Sequence, residues 1–298
     1  MKKILFVLII LLAIFLMVFS LSSKNKNISK TGKIEVMVSI LPQVDFVNRI
    51  GGDKVSVLEM IPPGFNPATY NPSPEQLQKL QNADLYFRIG HISFEKSQMD
   101  KLANINPEMK IIDTSKGISL LKTEEHDNDE DLSHEEEGDD PHIWLSPDLV
   151  KIQAEHIYKA LVDYSPKNED YFTQNYNNFV KDLDQLDEKL KNVFDPIKDQ
   201  TILVFHPAFG YLANEYDFHQ KSIKIEGKDP TPVQLKEIID EAKKDNIKVI
   251  FVQKQFSISL SEFVAGEIEG VVVQIDPLAK DYLTNLESMA DKIVNSLK

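Results

Sequence analysis

The stretch "YFTQNYNNFVKDLDQLDEKLKNVF", residues 171–194, sets Phe172, Tyr176, Phe179, Leu183, Leu186, Leu190 and Val193 at steps of four and three. Those steps lay one apolar stripe along a helix of about six turns, and the opposite face is charged. Pro196 stops the helix. A helix of this length makes a stiff connector, because bending it breaks its own hydrogen bonds.

Outward from that helix, both halves of the chain alternate strand and helix signals. Before it come the β-rich runs "KIEVMVSI" (33–40), "VSVLEMI" (55–61), "DLYFRIG" (84–90) and "KIIDTS" (110–115). Helices are predicted between them over 42–50, 74–81 and 94–103, the second with Ser73 as N-cap and Pro74 at its first position. After it, "TILVFH" (201–206), "SIKIE" (222–226), "IKVIFVQ" (247–253) and "VVVQID" (271–276) read as buried strands. Helices are predicted over 209–216, 231–246, 260–269 and 282–297. The expected fold is α/β: two lobes with parallel-rich sheets flanked by helices, bridged by one long rigid helix. The expected boundaries are 33–168 for the first lobe, 169–196 for the connector and 197–298 for the second lobe. No close internal repeat is visible, so any likeness between the lobes is architectural.

The chain has 298 residues, 42% of them hydrophobic, enough for real cores. Its net charge of −14 repels phosphate backbones and anionic lipid at long range, so a cation is a more natural partner than nucleic acid. Residues 1–22 carry Lys2 and Lys3 ahead of an apolar run from Ile4 to Phe19, which is an export signal. Cleavage after Ser22 and retention as an anchor both remain open, with residues 23–32 as a polar linker. The chain contains no cysteine, so neither a lipid-modified cysteine nor a disulfide exists in it.

The loop from Leu121 to Asp140 holds eleven carboxylates with His126 and His134 against a single lysine. It has no apolar period and reads as a solvated insertion, one that can still gather divalent cations weakly. Two metal signatures fail in it. The segment "DNDEDLSHEEEG" (127–138) has Leu132 where an EF-hand needs Gly, and Gly138 where it needs a bidentate Glu. His134-Glu135 opens like H-E-x-x-H, but Gly138 takes the second histidine position.

More informative residues lie at strand and turn ends. His206 closes "TILVFH", Asp276 closes "VVVQID", and His142 stands in "DPHIWLSP" (140–147) beside Trp144, the only tryptophan. Ligands of open α/β lobes collect at the carboxyl ends of strands, and Zn²⁺ favours four N, S or O donors. Taken singly, each histidine reads more readily as a hydrogen-bonded structural residue than as a ligand; three such positions at equivalent strand and turn ends shift the balance toward metal. Trp144 likewise reads as plain core filling or as a packing support for His142.

"DPHIWLSP", "FHPAFGYLANEY" (205–216), "VIFVQKQFS" (249–257) and "IDPLAKDYLTNL" (275–286) together resemble the metal-binding solute receptors of zinc and manganese ABC importers. The resemblance covers nearly the whole chain after residue 32. It implies two α/β lobes with one divalent cation between them, held by His142, His206 and Asp276, and a monomer that hands its metal to a membrane permease. The departure is in "IPPGFNPATYNPSP" (61–74), where Ala68 stands in place of the family's histidine. A methyl group cannot coordinate an ion. His91 in "RIGHISFEK" (88–96), after the strand at 84–90, is the candidate replacement, with Glu95 either its orienting partner or a residue pointing into solvent. The plainer reading leaves His91 structural, and the site then has three protein ligands and a water. The nitrogen-rich set points to Zn²⁺, with manganese or iron as the alternative within the family. A zinc hydrolase with an open coordination position and a surface adhesin are the rivals from other classes.

Overall fold

The computed structural model describes residues 32–122, 138–224 and 229–298. Strands β1 (Ile34–Val38), β2 (Val55–Glu59), β3 (Leu85–Arg88) and β4 (Lys110–Asp113) form the first sheet, in the order β2-β1-β3-β4. Strands β5 (Thr201–Val204), β6 (His219–Ser222), β7 (Val249–Gln253) and β8 (Val271–Ile275) form the second, in the order β6-β5-β7-β8. Every pairing in both sheets is parallel. The same strand order occurs twice without a matching sequence repeat, so the likeness between the lobes is architectural. In each lobe the order reverses between the first and third strands, the place where open α/β sheets gather ligands.

Helices α1 (Leu41–Gly51), α2 (Pro74–Leu80), α3 (Ser93–Ile105) and α4 (Pro147–Tyr164) belong to the first half of the chain. The connector is α5 (Glu169–Phe194), and α6 (Gly210–Glu215), α7 (Pro232–Lys244), α8 (Ser259–Glu267) and α9 (Tyr282–Ser296) follow it. Ser73 does cap α2: its hydroxyl accepts from the Gln76 amide at 3.3 Å, and the Gln76 side chain accepts from the Ser73 amide at 2.9 Å. Among the described residues no helix is long and apolar enough to cross a membrane.

One strand differs from the sequence expectation. The run "SIKIE" suggests a strand over 222–226, but pairing with β5 starts earlier, from Thr201 opposite His219 to Val204 opposite Ser222. Asp217 turns the chain at φ 56°, and the amides of Ile223 and Lys224 extend the ladder to the carbonyls of Val204 and Phe205, each at 2.9 Å. β6 lies at a sheet edge, where polar side chains face water, so the apolar pattern misses its first residues.

The connector is a 26-residue helix, about 39 Å long at 1.5 Å per residue. Its buried residues Phe172, Phe179, Leu183, Leu186, Leu190 and Phe194 belong to one apolar core. That core runs from the first sheet across α5 into α6, α9 and the inner face of the second sheet. Alternation along β5 shows the division: Ile202 and Val204 join this shared core, while Leu203 and Phe205 join a smaller cluster with residues of α7 and α8.

Polar links reinforce the junction. Asp45 on α1 accepts a backbone hydrogen bond from Tyr282 at the start of α9, and the Phe46 ring meets that of Tyr282 edge-on at 4.9 Å. The Tyr216 hydroxyl donates to Asp187 on α5 at 3.2 Å. Glu215 on α6 accepts from Ser146, the N-cap of α4, and faces Asp148 and Asp187. Burial pushes the Glu215 carboxyl up to about 7; the neighbouring carboxylates add to this rise and the Ser146 bond opposes it.

A carboxyl whose folded pKa lies above its ordinary 4.5 stabilises the fold fully below that value and loses the contribution as pH rises through about 7. Thermal and urea unfolding of wild type and Glu215→Gln from pH 5 to 8 should therefore show the variant gaining relative stability with rising pH. The gain should be about 1–2 kcal/mol, discounted for the group's partial exposure. Glu95, also pushed to about 7 by burial, is present in both proteins and cancels in the difference.

Candidate metal centre

The segment 139–146 enters α4 through a hydrogen-bonded turn. Asp140, only 4% exposed, accepts from the His142 amide at 2.9 Å and lies 2.6 Å from His142 Nδ1 through the same oxygen. The first bond closes an Asx turn, and the second orients the imidazole with Nε2 left for another partner. Tyr211 on α6 donates to the Asp140 carbonyl at 2.8 Å, so the second lobe braces the same turn. Trp144 is buried, meets the His142 ring edge-on at 5.1 Å, and donates its indole N–H to the Pro277 carbonyl at 2.9 Å. That bond ties the His142 turn to the residue next to Asp276.

His206 lies two residues beyond β5. The buried amide of Gln253, at the end of β7, grips its backbone from both sides, accepting from the His206 amide at 3.3 Å and donating to its carbonyl at 2.7 Å. Phe256 packs against the ring with centroids 5.2 Å apart. Burial, helped by the nearby His142 and Lys224, lowers the His206 pKa to about 3. The ring is therefore neutral at physiological pH and keeps a lone pair for a cation. Its Nδ1 is buried without a hydrogen-bond partner, and an unpaired buried ring nitrogen carries a cost that an ion or a proton acceptor would relieve.

The His142 and His206 rings stand 5.2 Å apart at an interplanar angle of 72°. An ion bound to a ring nitrogen at about 2.0–2.1 Å lies about 3.2 Å from the ring centre, and two such centres at the tetrahedral angle are separated by about 5.2 Å. The pair thus has the spacing of two imidazoles on one tetrahedral ion.

Asp276 follows β8, the strand beyond β7, so its backbone lies about 10 Å from that of His206 at two strand spacings. Its Oδ1 accepts from Gln255 Nε2 and from the Leu278 amide, both at 3.0 Å, and Lys254 Nζ is 3.6 Å from its Oδ2. His91 is half-buried after β3, with Nδ1 3.9 Å from Asp139 Oδ2. Glu95 is almost fully buried and makes its bonds elsewhere: it accepts from the amides of Ile89 at 2.8 Å and Gly90 at 2.5 Å, and from the Ser39 hydroxyl. It fixes the backbone that precedes His91 and joins the ends of β1 and β3. Ala68 is exposed in the turn-rich segment before α2.

The structure therefore brings His142 and His206 together. Among the described residues no group of three or more His, Asp or Glu side chains converges closely enough to hold an ion, so His91 and Asp276 are not brought into that pair. His126 and His134 lie outside the described residues. The base of their loop is closed by an antiparallel bridge between Lys122 and Asp139, with a 3.1 Å ion pair. Sequence reasoning missed Asp140, Gln253, Lys254 and Gln255. Asp140 was readable from the Asx-x-His spacing of "DPH", whereas the other three gain their roles only through strand adjacency.

The family model of the zinc-uptake complex component A, periplasmic, matches residues 36–296. The high-affinity zinc uptake system protein ZnuA of Bacillus subtilis (strain 168) is 30% identical over 263 residues, covering 83% of this chain and 79% of that protein. The manganese ABC transporter substrate-binding lipoprotein PsaA of Streptococcus pneumoniae is 27% identical over 266 residues, covering 85% and 82%. A crystal structure of ZnuA superposes with a TM-score of 0.83 at 39% identity, covering 89% of this chain and all of that one. The chain belongs to this family: it is a metal-binding substrate receptor of an ABC importer, and not an enzyme.

If Asp140 orients His142, Asp140→Asn should weaken divalent-metal binding about 10- to 100-fold, as loss of a ligand's hydrogen-bond partner commonly does. Competition against a chromophoric chelator measures this, with circular dichroism checking that the fold is retained.

Proposed function

We propose that this member of the zinc-uptake family captures Zn²⁺ between its lobes and delivers it to a membrane permease. The observation that carries the reading is the His142–His206 pair, whose 5.2 Å spacing suits one tetrahedral ion. Asp276 would supply the one anionic ligand, and His91 the donor that Ala68 lacks. Each stands after the carboxyl end of a strand, β8 and β3 respectively. Side-chain rotation and a small lobe movement would be needed to bring these two onto the ion.

The nitrogen-rich set favours zinc over manganese, which prefers carboxylate, carbonyl and water ligands. The acidic loop, with His126 and His134, would raise the local cation concentration and pass ions inward, its base anchored beside His91 through Asp139. The leader at 1–22 would export the chain and either be removed or anchor it at the outer face of the membrane. The receptor would act as a monomer, its lobes divided at 33–168 and 197–298 by the connector.

The test is metal binding by the chain from residue 23 onward. One zinc should survive dialysis, and His142→Ala and His206→Ala should each weaken binding at least 100-fold. His91→Ala should weaken it about tenfold or more, and unchanged affinity there would return the site to three protein ligands and a water. In a direct competition Zn²⁺ should displace Mn²⁺; retention of Mn²⁺ in equimolar zinc would overturn the zinc assignment.

A further inference from the structure

Beyond the ligands themselves, the second lobe carries a cation against the carboxylate proposed to bind the cargo. Lys254 follows β7, and its amide donates to the Ile275 carbonyl at 3.0 Å, so its backbone is fixed beside the residue preceding Asp276. Its ammonium lies 3.6 Å from Asp276 Oδ2, the oxygen not engaged by Gln255 and the Leu278 amide. The lysine side chain is 56% exposed and the aspartate side chain 20%. The carboxylate is thus held in place while the ammonium has solvent to swing into. Lys224, the cation near His206, has no such freedom: it is 16% exposed, pairs with Asp229 at 3.3 Å, and lies over the Phe205 and Phe256 rings at 5.7 and 5.3 Å.

We propose that Lys254 is an internal counter-ion to Asp276 that competes with the cargo cation, lowering the receptor's affinity and speeding release. This rests on the reading of Asp276 as a ligand. A dication on Oδ2 meets an ammonium a few ångströms away, and repulsion between them either weakens the ion's hold or drives the lysine out into solvent. The exposed lysine makes this a tax on affinity and not a block, since its pairing is screened and easily broken. For a receptor that must surrender its metal, such a tax is functional: affinity differences of this kind fall mainly on the dissociation rate.

The experiment is a double-mutant cycle with zinc as the probe, using Lys254→Gln, Asp276→Asn and the pair. Affinity is read by chelator competition and release by stopped flow into excess chelator. Lys254→Gln should bind zinc about 3- to 30-fold tighter and release it correspondingly more slowly, and the gain should vanish in the Asp276→Asn background. If Asp276→Asn leaves affinity unchanged, the ligand reading fails and takes the counter-ion with it. If Asp276→Asn weakens binding but Lys254→Gln does not tighten it, the counter-ion inference alone is overturned. A gain of equal size in both backgrounds overturns it too, because the lysine then acts through general charge and not through Asp276.

Discussion

The two lobes hold their places because the apolar core does not stop at the boundary between them. Phe172, Phe179, Leu183 and Leu190 on the connector share one buried cluster with Phe46 of α1 and with Leu286 and Ile293 of α9. Separating the lobes would expose that shared surface to water, at roughly 25 cal/mol for each Å² uncovered. A hinge of exposed linker residues carries no such penalty. The long helix therefore does more than space the lobes: its stripe is the surface on which both are packed, and the attainable motion is small sliding and side-chain rearrangement.

On that frame the two lobes position the histidines of the proposed metal site by the same device. In the first lobe the Glu95 carboxylate joins the end of β1, through Ser39, to the amides that follow β3. In the second lobe the Gln253 amide joins the end of β7 to the backbone of His206 after β5. Each fills the place where its sheet reverses order, and each fixes a backbone that presents a histidine. Trp144 then connects the halves, packing on His142 while its indole bonds to Pro277. The tryptophan is thus buried in the core and also ties the His142 turn to Pro277.

The fold was legible because each element carried its own signal: the step-four and step-three stripe of α5, the short β-rich runs, and the Ser73-Pro74 start of α2. β6 was shifted because His219, Gln220 and Lys221 are polar for an edge strand, and no apolar alternation marks them. The histidine pair was legible as strand-end and turn-end chemistry. Its supports were less so. Gln253 matters because β5 and β7 are neighbours in space, although 47 residues separate it from His206. Lys254 and Gln255 reach Asp276 for the same reason, across the β7–β8 pairing. Linear sequence states residue type and local period, while contacts between adjacent parallel strands follow from topology.

The charges around the centre are also divided between the lobes. His142 is bonded to Asp140, and His91 faces Asp139, so the first-lobe side carries negative charge beside each imidazole. On the second-lobe side Lys224 lies near His206 and Lys254 beside Asp276. A cation approaching between the lobes therefore meets an attractive wall and a partly repulsive one. A dication held by two imidazoles and one carboxylate would keep one unbalanced positive charge, and Asp140, bonded to His142, is placed to offset it, whereas Asp139 is already paired with Lys122. If the proposed ligands hold the metal, binding and release would draw on different walls: the carboxylates beside the first-lobe histidines would favour capture, and Lys254 beside Asp276 would oppose a tight hold.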